Sequence, residues 1–365
     1  MTMKIGIDIS PMGEPNFTGV GVIVDNLIRN LAQIDKENEY FLCYRLSRLK
    51  KKWLKNPVDQ ENFHFKIIQE PLNFLFERKL DLFHGAERLP NYSRPKKVVT
   101  IHDMAAVLGG DFMTNEFREM IKKRYSDLVR GQADHIITLS EAAKRDICGY
   151  YKLDESMVSV VYPGVYEGFR PLPKEDVEPV LEKFGLTGRY ILHVGALQER
   201  KNIVRILEAF RGYADSGHED VQLVFCGKPT YGYERILETI KKLKLEEKVS
   251  IFGHVEQSEL VALYNGAMML CFPSLFEGFG IPIVEAFACG CPVITASVTS
   301  MPEVAGDAGI IVDPERVEEI EAAMHQLTDE GERARMGKLA LERSRLFTYR
   351  EAAEKVLGIY KKVAG

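Results

Sequence analysis

The sequence predicts two α/β domains in series, each a parallel sheet covered on both faces by helices. Three observations lead there. Apolar runs of four or five residues alternate with amphipathic helical stretches along most of the chain. The rhythm restarts after Tyr162-Pro163-Gly164-Val165, a natural break. The length, 365 residues, suits two domains of ordinary size. Strands this apolar belong in sheets buried on both sides.

Ile5-Gly6-Ile7-Asp8-Ile9 opens the chain as a β-branched strand, followed by a loop with Gly13, Pro15, Gly19 and Gly21. Val20, Val24, Leu27, Leu31 and Ile34 then recur at helical spacing and share one face. Leu82-Phe83 and Val98-Val99-Thr100-Ile101 read as buried strands ending at His84 and His102. Residues 120–130 read as helix and 135–139 as strand, with Ser140 an N-cap for the next helix. Residues 158–161 close this half. In the second half, strands are expected at 190–194, 221–225, 249–252, 268–272, 292–296 and 309–312. Helices are expected after Asn202, at 234–243 and 260–267, from Pro282 and at 315–327, with two more in the tail.

Composition narrows the function classes. There are 48 basic and 53 acidic side chains, a net charge of −5, so nothing global asks for nucleic acid. Six scattered cysteines do not make a disulfide framework and read as buried thiols of a reducing cytoplasm. The N-terminal residues lack a signal-peptide core, and no window approaches about 18 uninterrupted apolar residues. A cytoplasmic, non-spanning protein is expected. A nicotinamide enzyme would carry G-x-G-x-x-G after the first strand, where this chain has Asp8-Ile9-Ser10-Pro11-Met12-Gly13. No Asp-x-Asp offers itself for a metal, and Asp215, His218 and Glu219 sit in a polar loop that reads as solvated. No cofactor or metal is expected.

The motifs that carry chemistry cluster at expected strand ends. Phe276-Glu277-Gly278-Phe279-Gly280-Ile281-Pro282-Ile283-Val284-Glu285-Ala286 follows a buried strand, and Pro282 suits the start of a helix. The amides of Phe279, Gly280 and Ile281 then lie at a helix N-terminus, suited to an anion or a hydroxyl. Glu277 and Glu285, eight positions apart, offer acceptor-only carboxylates to a hydroxyl-rich ligand; a solvated loop residue and a salt-bridge group are the bland alternatives. Arg200 and Lys201 end a strand-to-helix loop, where adjacent cations fit a diphosphate. Gly19 and Gly21 let the backbone approach a phosphate, though a plain loop explains them equally. His102 is either a satisfied core histidine or a ligand contact, with Asp103 orienting it or capping the next segment. His84 reads as core.

The run from Glu277 to Ala286, continued by Ala288-Cys289-Gly290-Cys291-Pro292-Val293-Ile294, resembles the donor-site signature of retaining GT-B glycosyltransferases of family 4. Gly195-Ala196-Leu197-Gln198-Glu199-Arg200-Lys201-Asn202 looks like that family's diphosphate turn. Gly19-Val20-Gly21 is similar to its N-terminal glycine loop, and Ile101-His102-Asp103 to its catalytic-histidine segment. The resemblance extends over nearly the whole chain. It implies two Rossmann-like domains facing each other across a cleft: an acceptor-side domain at 1–165, a nucleotide-sugar domain at 166–345 and a tail at 346–365 whose helix returns to the N-domain. It further implies His102, Arg200, Lys201 and Glu277 as catalytic residues. Donor-binding residues would be Gly19, Gly21, Gly195, Gly227, His254, Gly278, Phe279, Gly280, Ile281 and Glu285. The wording of the motifs is most like GDP-mannose-dependent mannosyltransferases of surface-polysaccharide assembly. That implies GDP-mannose as donor and a glycan or lipid-linked acceptor. The family's mechanism is usually drawn as same-face attack, with the leaving phosphate accepting the acceptor's proton.

Rival readings stay open at this stage: a UDP-sugar-dependent relative, a nucleotide-sugar epimerase on the same scaffold, or a non-catalytic nucleotide-sugar-binding subunit. Residues 45–55, Arg-Leu-Ser-Arg-Leu-Lys-Lys-Lys-Trp-Leu-Lys, hold six cations, no acid and the chain's single tryptophan. As a helix they would put Leu46, Leu49 and Trp53 on one face, fit either for peripheral contact with a membrane surface or for packing on the sheet.

Overall fold

The computed structural model describes residues 2–13, 19–46, 57–69, 76, 78–89, 94–110 and 112–365. The chain forms two compact units. One comprises Met1–Leu108, Thr114–Gly164 and Thr348–Gly365, the other Gly109–Met113 and Val165–Phe347.

The first unit is built on seven strands: β1 (Lys4–Asp8), β2 (Glu39–Arg45), β3 (Phe63–Ile68), β4 (Leu82–Ala86), β5 (Lys96–Thr100), β6 (His135–Thr138) and β7 (Val158–Val160). They lie in the order β3-β2-β1-β4-β5-β6-β7, and every pairing is parallel. The helix Gly19–Ile34 buries Val24, Leu27, Ile28 and Leu31 against this sheet. The last helix, Tyr349–Ala364, is N-capped by Thr348 and adds Ala352, Ala353, Val356, Ile359 and Tyr360 to the same core. His84 is a satisfied core residue. Its Nδ1 is bonded to the Tyr360 hydroxyl at 2.6 Å and its Nε2 to Thr100 Oγ1 at 2.8 Å. Burial, helped by nearby His102, lowers its pKa to about 3, so the ring is neutral.

Strands β2 and β3 are absent from the sequence reading. β3 is an edge strand whose central residues, from His64 to Ile67, are partly or wholly exposed, which erases the apolar signal. Arg45 ends β2, so the basic segment leaves a strand; residues 47–56, which hold most of the expected interfacial helix, lie outside the described residues. Residues 14–18, which lead into Gly19, lie outside them too.

The second unit holds β8 (Tyr190–Val194), β9 (Gln222–Cys226), β10 (Val249–Phe252), β11 (Met269–Phe272), β12 (Val293–Ala296) and β13 (Gly309–Val312). The order is β10-β9-β8-β11-β12-β13, again parallel throughout. All six fall within a residue or so of their expected positions. Two helices were not anticipated, Lys174–Lys183 and Met301–Ala305. The first is highly charged and carries Pro179 in its interior, which hides its period.

Candidate functional site

In the second sheet β9 and β10 continue to one side of β8, while β11 starts the other side. The crevice beyond the carboxyl ends of β8 and β11 is therefore the switch point where open α/β sheets hold ligands. Two loops rise there. The first leaves β8 at Gly195 and ends in a 3-10 turn, Glu199–Lys201. Asn202 closes it in the left-handed region, φ 62°, and its amide donates to the carbonyls of Pro273 at 3.0 Å and Pro314 at 2.6 Å. The second loop leaves β11 and enters the helix Ile281–Ala288 through Gly280, φ 96°. Pro282 is the second residue of that helix, one place later than the sequence suggested. The Leu275 N–H donates to the Arg200 carbonyl at 2.8 Å, stitching the loops together.

This stitching brings the buried Lys201 and Glu277 and the partly buried Arg200 into one ion cluster. Glu277 Oε2 lies 2.9 Å from Arg200 Nη1, and Oε1 lies 2.6 Å from Lys201 Nζ. Arg200 also donates to the Phe276 carbonyl. The Lys201 ammonium stands 4.5 Å from the centre of the Phe272 ring, a cation–π contact. Glu277 and Lys201 are 9% and 7% exposed, so neither belongs to a solvated turn. Burial pushes the Glu277 carboxyl up, but the Arg200 and Lys201 charges and their hydrogen bonds outweigh it and hold it at about 2. The backbone of Glu277 is fixed as well: its N–H donates to Thr299 Oγ1 at 3.2 Å, and Ser300 Oγ donates to its carbonyl at 2.9 Å.

The glycines explain how the loop fits. A Cβ on Gly227 would stand 1.8 Å from the Gly195 carbonyl oxygen, and one on Gly195 3.2 Å from Lys201 Cε. Gly195 and Gly227 thus let two strand ends and the Lys201 stem close on one another. Gly278, Phe279 and Gly280 are buried in the approach to the helix N-terminus, with Ile281 partly exposed. Phe279 turns its ring into the core, edge-on to Phe347 at 5.5 Å. His254 is exposed beyond β10, 3.6 Å from Glu256.

Glu285, one turn into the helix, accepts from the hydroxyl of Tyr264 at 3.0 Å. Burial raises its pKa to about 7, and the Tyr264 bond pulls partly the other way. Tyr264 is fully buried on the helix Gln257–Gly266 and is not singled out in the sequence analysis, because its ring serves the apolar side of that helix. His193, also missed, lies wholly buried at the end of β8 between the rings of Phe225 and Phe272. Its Nδ1 donates to the Cys271 carbonyl at 2.9 Å, and its Nε2 is buried without a partner. The raised Glu285 pKa predicts a pH effect. Because ionising this group is easier in the unfolded chain, its contribution to stability is present below about pH 4.5 and is lost as pH rises through about 7. Thermal melts across that range should show a decline that Glu285→Gln removes.

In the first unit, β1 and β4 flank the corresponding switch point. His102 follows β5 and is 7% exposed, with neither ring nitrogen hydrogen-bonded. A buried polar ring left unsatisfied on both sides calls for an explanation. Asp103 does not orient it; its Oδ1 accepts from the Ala105 N–H at 2.9 Å and caps the following turn. Gly19 is exposed and Gly21 buried in the first turn of the helix Gly19–Ile34. Among the described residues, no group of three or more His, Cys, Asp or Glu side chains is gathered to hold a metal, and no helix is long and apolar enough to cross a membrane.

Comparison with known proteins agrees with this geometry. Residues 178–343 match the model of glycosyl transferases group 1, and residues 17–167 that of glycosyltransferase family 4. The O-antigen chain mannosyltransferase B of Escherichia coli is 28% identical over 287 residues, covering 77% of this chain and 74% of that protein. The serotype-specific mannosyltransferase WbdA of Escherichia coli is 29% identical over 265 residues, covering 71% of this chain but only 32% of WbdA. Among solved structures, Anabaena Alr3699/HepE in complex with UDP and glucose superimposes with a TM-score of 0.77 at 16% identity, covering 99% of this chain and 100% of that one. The chain belongs to the glycosyltransferases, with a family 4 N-terminal region and a group 1 C-terminal region on the GT-B fold.

Proposed function

We propose that the protein is a retaining, metal-independent hexosyltransferase that moves mannose from GDP-mannose to a glycan or lipid-linked acceptor. The observation that carries the donor chemistry is the pair Arg200 and Lys201, held beside a helix N-terminus at the switch point of the second sheet. As the nucleoside diphosphate departs, negative charge builds on phosphate, and two fixed cations with oriented amides stabilise it without a divalent ion. In this reading Glu285 accepts from the ribose hydroxyls and Glu277 from the hexose. His102, buried with both ring nitrogens unpartnered, is assigned to the transferred sugar or its phosphate. Mannose is favoured because the relatives above are named mannosyltransferases. A UDP-hexose donor is the second reading, supported by the UDP and glucose named with the Anabaena structure.

A panel of nucleotides tests the donor. GDP should raise the melting temperature more than UDP or ADP at equal concentration, since only ligands of the folded state stabilise it. A response to UDP alone moves the assignment to the second reading. Product analysis with GDP-mannose should yield free GDP and an acceptor-linked mannose of unchanged anomeric configuration. His102→Ala should lower turnover at least about 100-fold, the ordinary size of a lost proton-transfer or electrostatic contact, while GDP affinity stays within about two-fold. A parallel loss of GDP affinity would contradict its assignment to the sugar.

A further inference from the structure

A diphosphate bound beside Arg200 and Lys201 must draw on the two cations that Glu277 already contacts. The carboxylate reaches both, at 2.9 and 2.6 Å, and its backbone is held on each side by Thr299 and Ser300. We propose that Glu277 is a built-in competitor of the diphosphate: it shares Arg200 and Lys201 with the phosphates and thereby weakens retention of the product nucleoside diphosphate. This rests on the reading of the site as a nucleotide-sugar site and deepens it.

The charges give the reason. Two cations and one carboxylate leave a single net positive charge on the three side chains. The donor's diphosphate is a diester with one negative charge on each phosphate. Once the hexose has left, the terminal phosphate gains a second ionisation with a pKa near ~6, so at neutral pH the product is more negative than the donor. Two cations without that carboxylate, one of them buried, would hold that product more strongly than the donor. Product release rather than chemistry limits many well-evolved enzymes. Glu277 offsets part of the attraction. Its low pKa keeps it ionised over the whole working range, so the competition does not depend on pH there.

Titration calorimetry with inorganic pyrophosphate, GDP and UDP on the full chain tests this, because none of these ligands contains a hexose. Glu277→Gln should bind pyrophosphate about ten-fold or more tightly than the wild type, the equivalent of one charge-assisted contact returned to the ligand. A residue that only holds the sugar would leave all three affinities unchanged, and that result overturns the proposal. Should Glu277→Gln fail to fold, Glu277→Asp keeps the charge on a shorter stem and should show the same tightening at smaller size. Unchanged or weaker pyrophosphate binding in whichever variant folds also overturns it. If the wild type binds neither GDP, UDP nor pyrophosphate, the functional reading itself fails, an outcome distinct from wild-type binding that the variants do not tighten.

Discussion

Replacing Lys201 by methionine is expected to remove about 3–5 kcal/mol of folding stability and most of the affinity for nucleoside diphosphates together. The ammonium is buried at 7% exposure, lies 2.6 Å from Glu277 and packs over the Phe272 ring. Methionine fills a similar volume, so the loss comes from charge rather than from a cavity. It leaves the Glu277 carboxylate buried with Arg200 as its remaining charged partner in the cluster. The pH dependence identifies the cause. A carboxyl held at about 2 contributes stability that is present above its ordinary value of 4.5 and lost as pH falls through about 2. The stability gap between wild type and Lys201→Met should therefore be full at pH 7 and narrow below about pH 4.5. Urea melts at pH 7, 5 and 3.5 measure it. A gap of constant size would mean that packing rather than charge was lost.

Gly227→Ala is expected to be nearly as damaging, by about 3 kcal/mol or more, because the methyl would collide with backbone that cannot retreat. It would stand 1.8 Å from the Gly195 oxygen and 2.5 Å from the Gly195 carbonyl carbon. Both strand ends are pinned: the Gly195 N–H donates to Cys226 O at 2.9 Å, and the Gly227 N–H to Phe252 O at 3.0 Å. Relief on the Gly195 side shifts the loop that carries Arg200 and Lys201, so diphosphate affinity should fall roughly 100-fold in a protein that still folds. Gly188→Ala is the control, since its methyl would meet only Asp220 O at 3.7 Å. Melting temperature and GDP titration on the two variants separate a specific collision from a general intolerance of alanine.

The second sheet was legible because its strands are buried on both faces, and Tyr190–Val194 or Met269–Phe272 announce themselves by apolar content alone. β3 was not, because an edge strand carrying His64 and Lys66 obeys neither the apolar nor the alternating pattern. Positions at the site were readable from loop and helix-start chemistry, as with Arg200, Glu277 and the Gly280 entry to its helix. Partnerships were not. Glu277 and Lys201 are 76 residues apart, and no local period tells a buried ion pair from two solvated charges. Tyr264 stayed hidden for the opposite reason: its ring satisfies the helix's apolar face, and only the tertiary fold shows that its hydroxyl ends at Glu285.

The helix Tyr349–Ala364 supplies Ala352, Ala353, Val356, Ile359 and Tyr360 to a core whose other buried members come from the first 161 residues. This fixes an order on the ribosome. The second unit, apart from the short Gly109–Met113 segment, is continuous from Val165 to Phe347 and has all its strands once that stretch has emerged. The first sheet, although synthesised earlier, must wait with an incomplete apolar face until the last helix is made, and the intervening segment of more than 180 residues must be spanned to close it. Closing so long a loop costs only slightly more than closing a short one, and less still once its interior has collapsed into a folded unit whose ends lie at Val165 and Phe347, hydrogen-bonded to each other at 3.0 Å. Nascent chains halted before Tyr349 would therefore expose hydrophobic surface on the N-terminal sheet, where chaperone cover would be needed during synthesis.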